Sequence, residues 1–557
     1  MPDVKHMKWW GWGVEGVGFH HEDKPGFRPF VIEAVDVDVN TPAPVGMSLD
    51  ALTIPKPMIT DELLAELTDA VGAENVLTED MDRIVHTYGK SVRDLIRLRT
   101  SDIPRVPDVV VYPGDEAEVQ LVVDRAVAAN AVLIPFGGGS NIAGSLHAPA
   151  DETRPVISVD LGRLNRLISV DDESGLARIQ AGALGPDIED QLRPLGWTLG
   201  HFPDSFTHST LGGWIATRSS GMQSDKYGDI ADITRGLRVV MPGKLLVLRP
   251  LPSTSTGPSV REMILGSEGR LGIITEATVQ VHRIPEKRQI LGYLFPTWDS
   301  GLAAMQEIST SDARPSITRV SDGRETRFSF ATRKKSSGIS ITSLVSKGLM
   351  KVLERRGWQL DQSCLSFIGY EGAPSHVSRE QSIVKAIIKK HGGIVLGKGP
   401  GVLYDQKKFD TPYLRDFLLD RGAIGDVSDT AAPWSKLKPL YDNVMAAANQ
   451  AYAELGVVGW IMCHLSHSYH SGACLYFTFA FRHDDVDPLG QYDRVKTAIQ
   501  QAFVDNDATL SHHHAVGTEH APWLEQDISA PGVHMIDGLF AAMDPGQNFN
   551  PGKIVVK

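Results

Sequence analysis

Cysteine is scarce: Cys364, Cys463 and Cys474 are the only three in a chain of 557 residues. An odd number, widely spread, in a chain long enough to bury its own core argues against a disulfide framework and for free thiols in a reducing compartment. Basic residues are also short, 55 Lys and Arg against 68 Asp and Glu, giving a formal charge of -13. Binding a phosphate backbone needs a basic surface, so nucleic acid is not expected as a partner. Nowhere does the chain approach the roughly 18 uninterrupted apolar residues of a membrane span. Met1 to Gly13 lacks a basic segment followed by an apolar run, so no secretory signal is read there and a cytoplasmic protein is expected. The remainder, 42% hydrophobic and 22% charged, is ordinary for a globular chain. Its length calls for two or more domains.

The opening Lys8-Trp9-Trp10-Gly11-Trp12-Gly13 suits an arm packed on another surface, and regular structure is expected to be sparse from there to about Pro57. Thr60 to Val71 reads as a helix, with Thr60 as cap, acids in its first turn, and Leu63, Leu64 and Leu67 at helical spacing. From Pro107 onward short β-rich runs alternate with helices: strands at 109–112, 131–135, 156–160 and 176–181, and a helix from Asp115 to Asn130. A second region opens with the strand Ile290 to Phe295 and carries helices at 300–309, 375–391 and 435–455. Such alternation predicts an α/β or α+β fold.

The strand ending at Pro135 runs directly into Phe136-Gly137-Gly138-Gly139-Ser140-Asn141. Contiguous glycines let a backbone turn sharply and aim N–H groups at an anion such as a pyrophosphate. The spacing is not the G-x-G-x-x-G of a Rossmann turn, and alone it fits a plain structural turn equally well. Two later segments have similar chemistry. Pro203-Asp204-Ser205, with Ser209 to Thr217, is small and hydroxyl-rich; Leu265 to Thr275 is glycine-rich and feeds a strand. Both permit close backbone approach to a flat ligand. Three such loops in this order resemble the FAD domain of the PCMH-type, or vanillyl-alcohol-oxidase, flavoproteins. The resemblance implies an α+β chain with a PCMH-type FAD-binding domain and a cap of antiparallel sheet flanked by helices. It implies FAD contacts from Pro135, Phe136, Gly137, Gly138, Gly139, Ser140 and Asn141. Further contacts are implied from Pro203, Asp204, Ser205, Thr210, Gly212, Gly213, Trp214 and Thr217, and from Glu268, Gly269, Gly272 and Ile274. Ser140 and Asn141 stand where relatives with covalent flavin often carry histidine, so non-covalent FAD is expected.

Within those flavoproteins the chain resembles the alkyldihydroxyacetonephosphate synthase family. Gly200 to Ser205, Ser219 to Met222, Tyr413 to Asp416, Ala432-Pro433-Trp434, Gly472 to Phe477 and Ser511 to His514 carry that resemblance. It implies exchange of the acyl chain of an acyl-dihydroxyacetone phosphate for a fatty alcohol, with no net redox change. A base removes a C1 proton, and flavin N5 holds the substrate meanwhile. By position, Tyr476 matches the proton-abstracting tyrosine and Arg415 the active-site arginine. His513, His514 and His201 are expected with them as catalytic groups, and Arg319, His512, Ser428 and Cys474 at the substrate. A tyrosine or histidine beside a cation can have its pKa lowered enough to act as a base. Plainer readings exist: Tyr476 as a strand aromatic, Arg415 as a solvent-facing helix residue, the histidines as a solvated loop. Three adjacent histidines on an extended segment would point to opposite faces, so no metal site is expected.

Two positions depart from the family pattern. Its phosphate-binding serine falls on Val427, with Ser428 one residue later, and its Gly-Val-Gly-Lys becomes Ala515-Val516-Gly517-Thr518. Both changes remove donors or charge that a phosphate dianion needs. The alternative is an FAD-dependent 2-hydroxy acid or alcohol dehydrogenase or oxidase on the same scaffold, which Asn550-Pro551-Gly552-Lys553 resembles as much. A non-catalytic flavoprotein is disfavoured by the retained arginine, tyrosine and histidines. Basic and apolar residues concentrated at 333–356 suggest either a membrane-surface element or an ordinary amphipathic helix. The expected division is an arm and helical segment at 1–99, the FAD-binding domain at 100–288, a cap at 289–505 and a returning segment at 506–557. A lipid-like substrate and a homodimer are expected by resemblance.

Overall fold

The structure, a computed structural model, describes residues 4–43, 47–334, 353–355, 357–401 and 411–556. Most of the basic and apolar segment at 333–356 therefore lies outside the described residues. Among the described residues no helix is long and apolar enough to cross a membrane.

Local chemistry sets the helix starts. Thr60 accepts a hydrogen bond from the Leu63 N–H and so caps the helix Asp61–Val71, while Asp115 caps Glu116–Ala128 through Glu118 N–H. Both side chains satisfy donors that the first helical turn leaves free. The later helices form at Trp298–Ser309, Pro374–Lys390 and Trp434–Leu455, each within two residues of the span read from sequence. One helix has no sequence signal. Phe27–Val35 lies in the stretch expected to be irregular, and Gly26 at its N-cap makes no side-chain bond. It has no acid in its first turn and no base in its last, so only tertiary contact marks it. Phe27, Phe30, Val31, Ala34 and Val35 are buried with Leu418 and Ala423.

Three sheets of three or more strands position the site. In the first, Val156–Asp160 pairs in parallel with Val109–Val111 on one side and Val132–Phe136 on the other. The last of these is the sheet edge, and the C-terminal segment covers it. Leu133 donates its N–H to Asn548 O and accepts from Asn550 N–H, at 2.7 and 2.9 Å. An unpaired edge next to the glycine loop is thereby closed. The second sheet is antiparallel, in the order Leu167–Asp171, Leu176–Gln180, Ile273–Gln280, Thr234–Met241, Lys244–Leu248.

The third sheet is antiparallel and seven-stranded, in the order Ile394–Gly397, Lys287–Phe295, Cys364–Gly372, Ile317–Ser321, Gly459–Ser468, Gly472–Arg482, Ala423–Pro433. Helices pack on one of its faces to form the largest core cluster, with Phe477, Phe479, Leu440 and Ile499 inside it. This mixture of a parallel sheet, antiparallel sheets and flanking helices is an α+β fold.

Glu371 joins the third sheet to the flavin-loop half of the molecule. It is 2% exposed and accepts from Tyr227 Oη at 2.6 Å and Arg288 Nε at 2.8 Å. Gln223 Nε2 also donates to it, and Lys226 Nζ donates to its backbone carbonyl. Replacing Glu371 by Ala should cost about 3 kcal/mol, because buried partners are left unpaired. The check is a lowered thermal midpoint; an unchanged one would show that the two halves are held together elsewhere.

Candidate active site

A cavity of about 1530 Å³ runs between the flavin-loop half and the third sheet. Its polar end is built on glycine. A Cβ at Gly138 would lie 1.8 Å from the His208 carbonyl oxygen, and one at Gly137 would lie 2.4 Å from Thr210 Oγ1. Gly139 takes a left-handed φ of +68°, so no bulkier residue fits this turn without strain. Thr210 in turn caps the helix Leu211–Thr217 through Gly213 N–H. Every residue assigned to the flavin from sequence lines this one cavity. The glycine backbone is packed so tightly against its neighbours that no side chain fits, which leaves backbone facing the cavity, and its chemistry suits a dinucleotide.

Glu268 ties the cradle to the rest of the site. It is buried, and its carboxylate accepts from Ser145 Oγ, Val516 N–H and Gly517 N–H at 2.5, 2.9 and 2.9 Å. Burial pushes its pKa up, and those donors oppose the shift. The loop it holds continues back to the three histidines. Ala515 sits in that loop at φ +75°, a conformation that costs a Cβ-bearing residue about 1–2 kcal/mol and that a glycine meets freely. Thr518 Oγ1 bonds Gly144 O at 3.3 Å and does not line the cavity.

Arg415 lines the cavity from the helix Thr411–Leu419. Its Nη1 donates to Lys90 O at 2.5 Å, and its Nη2 lies 3.3 Å from Asp416 Oδ1. The tryptophan-rich arm fixes Asp416, since Trp12 N–H donates to Asp416 Oδ2 at 2.5 Å. Lys90 Nζ reaches back to the carbonyls of Lys8 and Trp9. The arm thus straps the arginine-bearing helix in place.

The opposite wall comes from strands of the third sheet. Tyr476 packs between two imidazoles, with ring centroids 4.8 Å from His464 and 5.9 Å from His513, both near-parallel at 22°. Contrary to expectation, its pKa is not lowered. Burial pushes it well above the usual phenol value, Asp204, Asp429 and Asp426 push the same way, and Arg319 pulls against them. A second carboxylate organises Arg319 and His464. Glu325 contacts Arg319 Nη2 at 2.5 Å and His464 Nδ1 at 2.8 Å. Burial would raise its pKa, but His464 and Arg319 hold it at about 2.

The histidine segment is a turn, not an extended strand, and all three residues converge on Asp429. Asp429 Oδ2 accepts from the His512 and His513 backbone N–H groups at 2.8 and 2.7 Å. His514 Nδ1 approaches Oδ1 at 2.6 Å and His513 Nδ1 approaches Oδ2 at 3.1 Å. Burial would raise the Asp429 pKa, yet His514 and His513 hold it well below the carboxylate range. Burial depresses His513 well below the usual imidazole value against the pull of Asp429, so its ring is neutral.

Tyr476, Arg415, Arg319, His513 and His514 therefore share the cavity with the flavin loops; four other expected residues do not line it. His201 is 1% exposed and lies behind the wall, bonded to Ser219 Oγ at 2.9 Å and packed edge-on against Trp214. Burial lowers its pKa to about 4, so it positions residues of the wall. His512 stands behind His513, their Nδ1 atoms 2.8 Å apart. Cys474 is fully buried among Asp429, His512 and His513, and burial pushes its thiol well up. Ser428 fails through strand periodicity. Val427 and Asp429 pair with Thr478 and Tyr476, whereas Ser428 pairs with Phe477 and turns to the opposite face. Its hydroxyl is buried without a hydrogen-bond partner, while Val427 lines the cavity.

Sequence reasoning missed Asp429, Glu325 and His464. The first two are acids in no motif, and the third reads as one residue of a strand. Spacing alone marks none of them: Asp429 and His464 act on residues far along the chain, and Glu325 joins the nearby Arg319 to the distant His464.

Residues 107–248 match the FAD binding domain family and residues 284–554 match the C-terminal domain of FAD linked oxidases. The alkyldihydroxyacetonephosphate synthase of Dictyostelium discoideum is 37% identical over 580 aligned residues, covering 99% of this chain and 94% of that protein. The chain belongs to the alkyldihydroxyacetonephosphate synthase family. The synthase of Trypanosoma brucei brucei is 34% identical, covering 99% of this chain and 92% of its own. A solved alkyldihydroxyacetonephosphate synthase structure superposes with a TM-score of 0.85 at 34% identity, over 98% of both chains. A substrate-bound p-cresol methylhydroxylase structure, at 15% identity and TM-score 0.63, shares the fold over 90% of this chain and 99% of its own. FAD is the cofactor, and the cradle fits it. Gly138→Ala should yield a folded but colourless protein, seen as lost flavin absorbance with an unchanged far-ultraviolet dichroism spectrum. Retained colour would show that the turn relaxes around a methyl group.

Proposed function

We infer that the chain exchanges the acyl chain of an acyl-dihydroxyacetone phosphate for a fatty alcohol, forming an ether lipid precursor with no net oxidation. The observation carrying this reading is one continuous cavity with two chemistries. At one end are the flavin loops, arginines and histidines; at the other Phe27, Phe30, Val31, Phe328 and Trp460 form an apolar wall. A small hydroxy acid has no use for that wall, whereas a long alkyl chain gains roughly 0.8 kcal/mol for each methylene it buries there.

FAD, held by the loops at 135–141, 203–217 and 268–274, would supply an electron-poor ring beside the reacting carbon. The chain's own residues do the rest. Arg415 and Arg319 offer donors and positive charge to the headgroup, in place of the hydroxyl lost at Val427. Tyr476 holds its proton at rest, so it takes the C1 proton as its own passes to the neutral His513 stacked on it. Asp429 keeps the His513 and His514 rings oriented for that transfer. The three buried free thiols support a reducing, cytoplasmic setting for this chemistry.

The test is anaerobic mixing of the FAD-loaded protein with palmitoyl-dihydroxyacetone phosphate and hexadecanol. Fatty acid release with ether product, and no electron acceptor, is the expected result. Flavin reduction by a hydroxy acid, reversed by an acceptor, with no ether formed would overturn it in favour of an oxidoreductase. Tyr476→Phe should lower turnover by about 10²–10⁴-fold while flavin absorbance stays that of the parent; full activity would remove Tyr476 from proton transfer.

A further inference from the structure

Ester and alcohol enter this reaction, ether and carboxylic acid leave, and the acid ionises at neutral pH. One proton must therefore leave a buried cavity in each turnover. The histidine turn holds a continuous set of contacts from that cavity to the surface. His513, which lines the cavity, has its Nδ1 2.8 Å from His512 Nδ1. His512 Nε2 is 2.6 Å from the Tyr469 hydroxyl, which lies 3.0 Å from Asp229 Oδ2. Tyr469 is 36% exposed, so the far end of the series meets water.

We propose that His512 and Tyr469 form a proton relay carrying the proton gained by His513 in the cavity out to solvent. This rests on the transferase reading for the source of the proton. The direction follows from donor and acceptor counts. Asp229 is a carboxylate, so Tyr469 donates to it and must accept from His512 Nε2–H. His512 Nδ1 is then bare and accepts from His513 Nδ1–H, a tautomer that Asp429 Oδ2 at 3.1 Å also favours. Each link already points outward. When His513 gains a proton at Nε2, its Nδ1 proton passes to His512 Nδ1. The His512 Nε2 proton passes to the Tyr469 oxygen, and the Tyr469 proton leaves to Asp229 or water. One N–H or O–H bond breaks for each that forms, and an inward shift or ring rotation resets the series.

The surroundings keep the relay neutral at rest. Burial lowers the His512 pKa, while Asp229 and Asp429 raise it and His514 lowers it. For Asp229, burial raises the pKa, but His467 and His512 bring it below its ordinary value. Asp225, Asp229 and Cys474 face Tyr469 and, with burial, keep its proton on. The His467 ring stacks on His512 at 5.3 Å, and burial holds it unprotonated, with a pKa of about 3. His467 therefore does not trap the travelling proton as a stable cation.

The decisive variant is Tyr469→Phe in the full-length FAD-loaded protein, a surface change that keeps the ring. At low buffer concentration its turnover should fall on the order of ten-fold or more, and rising imidazole buffer should restore it while leaving the parent unaffected. An unchanged rate, or a loss that buffer does not restore, overturns the relay; the latter would make Tyr469 purely structural. In 15N-histidine spectra of the resting parent protein, His512 should carry its proton on Nε2, and an Nδ1–H tautomer would also overturn it. Failure of the transferase reading is separately visible as a parent protein that makes no ether. In that event hydroxy-acid reduction of the flavin, which also releases a proton, supplies the same buffer comparison.

Discussion

A carboxylate without access to water sets the terms for the rest of the site. Burial alone would leave Asp429 neutral, and a neutral acid could not collect two backbone N–H groups and two imidazoles. Because those donors hold it ionised, it bends residues 511–514 into a turn, fixes ring tautomers and presents His513 to Tyr476. The charge is tolerated only because the turn wraps it, and the turn exists only because the charge is there. Each is the condition of the other.

Glu268 does related work from the other side of the same loop. It binds Val516 and Gly517 by their backbone N–H groups and Ser145 by its hydroxyl, so the segment carrying the histidines is moored to the segment carrying the flavin glycines. Two buried acids thus grip one loop at both ends. The cofactor half and the proton-handling half are held in register by the hydrogen bonds these two carboxylates accept from the loop backbone, so the loop's own side chains can change without breaking them, whereas loss of either acid would. Such mooring also explains how the loop tolerates Ala515 at a left-handed φ: the surrounding bonds over-determine its path.

Local features were legible in the sequence and long-range ones were not. The glycine run after a strand, the Thr60 and Asp115 caps and the alternating strands all declare themselves within a few residues, and the structure places each where its chemistry predicts. The residues lining the flavin end were readable because three short loops carry them. Asp429 was invisible, since its partners lie 82 to 85 residues away by the numbering of Ser511 to His514. Phe27–Val35 was invisible for a different reason: it has neither a side-chain N-cap nor a charge pattern, and burial against Leu418 and its neighbours stabilises it. Ser428 shows how one residue of register decides a role. Counting along the chain put a hydroxyl near the expected phosphate, and the pleat turned it to the far face.

The arm has an implication for how the chain is made. Trp12 docks on Asp416 and His6 on Asp160, so residues of the arm pair with residues that emerge much later. At about 5–20 residues per second, roughly 20 to 80 s separate the appearance of Trp12 from that of its mate. Trp9 finds its packing partners Ile84, Tyr88, Leu98, Ile103 and Val106 early in that interval, whereas Trp12 waits for the helix that carries Asp416. The environment of Trp12 therefore reports a late docking event in the life of a newly made molecule, completed only when the helix that carries Asp416 has formed.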